Sequence, residues 1–64
     1  MTSELLSAAA QAGGVPRGWS ANDLAELADH HHLLAVRSRT YATAEWHLRN
    51  RATICDLIET MTQG

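Results

Sequence analysis

Residues 19–63 read WSANDLAELADHHHLLAVRSRTYATAEWHLRNRATICDLIETMTQ, without a glycine or a proline. A stretch of that length with no strong breaker, and with apolar residues recurring three and four apart, predicts helix. Its start is sharply marked. Ser20 is a good N-cap, Asp23 stands three residues on as in a capping box, and Trp19 and Leu24 take the two positions of a hydrophobic staple. Leu24, Leu27, His31 and Leu34 then repeat at spacings of three, four and three, a seam of the coiled-coil kind, with Glu26 and Asp29 pointing away from it. One continuous rod and a hairpin are both conceivable. Val36, Ser38, Thr40 and Thr43 are weak helix formers clustered together, which favours a break near residues 36–40 with Ser38 or Thr40 capping a new start. The reading is a second helix over residues 20–36 and a third over 40–62.

Before this stretch, residues 13–19 form a linker that opens on Gly13-Gly14 and holds the only proline, Pro16. Glycine adopts the positive φ of a helix stop without steric cost, so a first helix over residues 1–12 ends there. Thr2 or Ser3 caps it, Glu4 suits the positive end of its dipole, and Leu5, Leu6, Ala9 and Ala12 form its apolar side. The fold class expected is all-α: a small three-helix domain, a short N-terminal helix followed by a helical hairpin with a long C-terminal helix. Oligomerisation would complete its core. A chain of 64 residues is one domain at most, and a core that small rarely supplies more than about 3–5 kcal/mol.

Cys55 is the only cysteine, so no internal disulfide supports the fold, and a lone thiol suits a reducing, cytoplasmic setting. The N-terminal segment lacks the basic start and unbroken apolar run of a secretory leader, and nothing approaches the roughly 18 apolar residues of a membrane span. The expected protein is soluble, with no membrane among its partners. Net charge is −2 but unevenly spread: Arg37, Arg39, Arg49 and Arg51 stand against Glu45 in the middle, while both ends are acidic.

No constellation reads as an enzyme. His30, His31 and His32 are consecutive, and neighbours on a helix point about 100° apart, so they cannot converge on one metal ion. Only Glu26–His30 has the i, i+4 spacing of a helical ligand pair. Cys55, between Ile54 and Asp56 on an apolar stripe, is expected to be a buried, inert thiol. Gly13, Gly14 and Gly18 do not form a phosphate loop, and so short a chain has little room for a pocket. No cofactor, metal or small-molecule substrate is expected.

The third helix carries two apolar stripes. Tyr41, Ala44, Leu48, Ala52 and Cys55 form one; Ile54, Leu57, Ile58 and Met61 form another, with Trp46 on its side. A short hairpin partner cannot easily bury both, and surplus apolar surface usually marks an interface. The expectation is therefore a helical protein–protein interaction module, whether adaptor, docking domain or regulator of a larger protein, with Trp46, Ile54, Leu57, Ile58 and Met61 as the contact set. Its partner is another protein or a second copy of itself. The alternative is a small DNA-binding regulator of helix-turn-helix type on Arg37, Arg39, Arg49 and Arg51, with the third helix as recognition helix. Against that alternative, no glycine marks the turn and the overall charge is acidic.

Overall fold

Each break and cap has a local cause. The computed structural model describes residues 2–63; Met1, taken above into the first helix, lies outside the described residues. Helix α1 spans Ser3–Ala12, α2 spans Ala21–Arg37 and α3 spans Tyr41–Gln63. The fold is all-α, with no strand among the described residues. Thr2 caps α1, its hydroxyl accepting the Leu5 N–H at 3.2 Å. Ser20 caps α2 in the same way, accepting from the Asp23 N–H at 3.2 Å. Trp19 packs against the cluster that contains Leu24, as the staple requires.

The break falls at residues 38–40. Ser38 leaves the helical backbone at ψ 140 while its hydroxyl donates to the Leu34 carbonyl at 2.7 Å, closing α2. Thr40 then opens α3, accepting from the Thr43 N–H at 3.2 Å. So both weak helix formers are used, one on each side of the turn.

Helices α2 and α3 form an antiparallel hairpin. His31 meets His47, and Leu24 shares a core cluster with Ile54, so seven residues further from the turn on each helix the two are still together. At 1.5 Å per residue the 23 residues of α3 run about 35 Å, nearly the molecule's 37 Å longest extent. The core is Leu24, Leu27, Ala28 and Ile54 between these helices, closed at one end by Ala10 of α1, with Leu6, Val15, Leu34, Leu57 and Ile58 packed around it.

Candidate functional site

What the core takes from α3 decides what the rest of that helix presents. His47 and Ile54 are its buried residues, and they define the inward direction. Positions 100° apart then place Trp46 and Asn50 on the flank toward the linker, and Tyr41, Leu48 and Cys55 on the other flank. Each face has a different character.

The inward face holds a buried polar contact. His31 Nδ1 and His47 Nδ1 lie 2.9 Å apart, with His31 fully enclosed. One ring must donate through Nδ1–H and the other accept, so at least one imidazole in each hydrogen bond is neutral at Nδ1. His31 Nε2 is buried without a protein partner. An unpaired acceptor is the milder burden there, which places the proton on His31 Nδ1 and leaves His47 with its proton on Nε2. Burial, and then the neighbouring His47 and His30, hold His31 below the ordinary histidine value. Burial and His30 do the same for His47. Trp46 stands edge-on to both rings, with centroids 6.1 Å from His31 and 5.0 Å from His47.

The linker flank is an interlocked joint. The Gly14 N–H donates to Asn50 Oδ1 at 2.8 Å, and Asn50 Nδ2 donates to the Trp46 carbonyl at 2.8 Å. Gly13 lies against the indole: a Cβ at that position would stand 2.7 Å from Trp46 Cζ2, and its φ of +77 is itself disfavoured for other residues. Beside this joint an open groove of about 460 Å³ is lined by Gln11, Ala42, Thr43, Trp46 and His47.

The outer flank carries the apolar surface. Tyr41 is 83% exposed and Leu48 46%, Ala52 and Cys55 are exposed, and Ala44 is half-buried among them. Cys55 is thus not the buried thiol its stripe suggested; the hairpin buries the other stripe of α3 and leaves this one in solvent. The five residues expected to form the interface separate accordingly. Ile54 is 0% exposed and serves the core, and Leu57 and Ile58 are half-buried against that core. Only Trp46 and Met61 of that set are exposed, at 42% and 45%. The physical reason is volume: Leu24 and Leu27 leave a space that an aliphatic side chain at position 54 fills, which the cysteine and alanines of the other stripe would leave void.

Arg37, Arg39, Arg49 and Arg51 are all exposed. Arg49 pairs with Glu45 at 2.6 Å, and Arg49 and Arg51 diverge by about 200° around α3. Among the described residues no three of His, Cys, Asp and Glu gather as metal ligands. No helix of the described residues is long and apolar enough to cross a membrane.

The exposed stripe gave no signal in the sequence that distinguished it from the buried one. The His31–His47 contact was half legible, through the seam position of His31. No family model, curated protein or solved structure matches the chain.

Proposed function

We propose that this chain is a small helical protein–protein interaction module that works through the outer flank of α3. The observation that carries the reading is the exposed line Tyr41, Leu48, Ala52 and Cys55, on a helix whose other apolar stripe already fills the core. Aromatic and aliphatic side chains held on a rigid helix lose little conformational freedom on docking, which suits helix-on-helix or helix-in-groove recognition. Exposed Arg51 and Glu59 lie beside the line, where rim charges tune orientation and on-rate. The interface expected from sequence is thereby moved around the helix, from the Ile54 side to the Tyr41 side. The test is the double variant Tyr41→Asp/Leu48→Asp. Both side chains are exposed in the single chain, so its helicity should stay near wild type while association with any protein or with itself is lost. Association that survives the double substitution, in a folded variant, would overturn the reading.

The DNA-binding alternative draws on four exposed arginines and on the three-residue turn at 38–40. It is the weaker reading, because a helix-turn-helix crosses its helices at about 90–120° whereas these run antiparallel. Loss of affinity with salt, and sensitivity to Arg37→Ala/Arg39→Ala, are its signature. Failure to bind duplex DNA even in low-salt buffer removes it.

A further inference from the structure

We infer that the partner of this face is a second copy of the same chain, laid antiparallel across a two-fold axis at Leu48; the inference rests on the interaction reading above. Its first support is the spacing of the stripe. Tyr41, Ala44, Leu48, Ala52 and Cys55 follow at three, four, four and three residues, a sequence of steps that is the same read from either end. In an antiparallel two-fold contact centred on Leu48, residue i of one copy meets residue j of the other and j meets i, so this symmetric spacing sets every position of the line against another position of the line. Leu48 would meet Leu48, and Tyr41 would lie at the level of Cys55 of the other copy. A large ring thus stands opposite a small side chain at both ends. Ala44 and Ala52, one on each side of the centre, allow the two backbones to approach closely.

Charge supplies the second support, independently of the stripe. Arg37 ends α2 and Arg39 lies in the turn that precedes α3, and Asp56 and Glu59 lie towards the far end of α3, all four exposed. About Leu48, Arg39 in the turn is nine residues one way, and Asp56 and Glu59 are eight and eleven the other. The antiparallel arrangement therefore brings the basic turn of each copy level with the acidic segment of its partner, twice. A parallel arrangement sets arginine beside arginine and carboxylate beside carboxylate, which is repulsive. The register follows from both observations and not from either alone. A second copy also covers the apolar area that a 64-residue chain cannot enclose by itself.

The experiment is thiol cross-linking of the full chain under mild oxidation. In the antiparallel dimer the two Cys55 positions are each seven residues from the axis, about 21 Å apart along the helices, far beyond the roughly 7 Å Cα separation that a disulfide spans. Leu48→Cys combined with Cys55→Ser puts a thiol on the axis. It should form covalent dimer at least tenfold faster than wild type, and a second variant, Tyr41→Cys with Cys55 retained, should form it equally readily. Cross-linking of wild type through Cys55 as fast as either variant overturns the register. Variants and wild type that all stay single chains in a folded state overturn the second copy as partner. Capture of a different protein that Tyr41→Asp/Leu48→Asp abolishes would then leave the interaction reading standing without the dimer, so the two ideas fail separately.

Discussion

Acidification should destabilise this protein through its histidine pair, and the direction of the effect follows from the geometry. His31 and His47 share one hydrogen bond between Nδ1 atoms at 2.9 Å in a nearly closed environment. Protonating both rings leaves two donors facing each other with no acceptor between them. Both folded values lie below the ordinary 6.5, with burial as the main cause. The unfolded chain therefore binds more protons than the folded one on the acid side, and stability falls as pH falls. The stabilising neutral pair is fully present above about pH 6.5 and is lost as pH drops through the depressed folded values. Each ring adds a slope of at most about 1.4 kcal/mol per pH unit within that window, so about 2.7 kcal/mol per unit is the ceiling for the pair. The assay is urea unfolding followed by far-UV circular dichroism from about pH 8 to about pH 5. The double variant His31→Leu/His47→Leu replaces both partners with apolar groups and should lose most of the slope at little cost at neutral pH. His47→Leu alone strands the His31 Nδ1–H and should cost about 1–3 kcal/mol. A wild-type stability that is flat from pH 6.5 downward, or a slope unchanged in the double variant, would mean that the histidine pair does not set the acid limit of the fold.

Three further expectations concern the joints of the fold. Gly13→Ala forces a Cβ to within 2.7 Å of the indole at a φ of +77. At ψ 174 this is an extended positive-φ conformation costing about 1–3 kcal/mol for alanine, and Trp46 must shift, so thermal unfolding should come earlier and Trp fluorescence should change; an unchanged melt would show that the linker does not rest on the indole. Asn50→Ala removes the acceptor of the Gly14 N–H and should cost about 0.5–1.5 kcal/mol, read as faster amide exchange at Gly14. Ile54→Ala should cost about 2–5 kcal/mol and leave much of the chain unfolded, whereas Met61→Ala, at an exposed position, should fall within about 0.5 kcal/mol of wild type. Equal effects at the two positions would mean that the inner face of α3 is misassigned.

The local signals in the chain were legible and the choice between equals was not. Ser20, Trp19 and Leu24 announced the start of α2 because capping and stapling act within one turn. The cluster Val36, Ser38 and Thr40 announced the break, and the hydroxyls of Ser38 and Thr40 now hold its two sides. The seam of α2 put His31 inward, as found. Periodicity, however, assigns α3 two apolar stripes of similar quality, and nothing within α3 ranks them. That ranking is made by Leu24 and Leu27 across the hairpin, which select the bulk of Ile54 over the thiol of Cys55. His47 belongs to neither stripe, so its pairing with His31 emerges only once the register of the hairpin is known. The approach of Gly13 to Trp46 is likewise a contact between segments far apart in the chain, where the glycine read only as a helix stop.

In the dimer proposed above, a second copy covers the outer flank of α3. Light scattering after size-exclusion chromatography, across a concentration range and with Leu48→Arg beside wild type, tests it most directly. The chain mass is 7.0 kDa. Wild type should approach about 14 kDa, twice the 7.0 kDa of one chain, as concentration rises, while folded Leu48→Arg stays at the single-chain mass. A wild type that stays at 7.0 kDa throughout, or a dimer indifferent to the arginine, would contradict it.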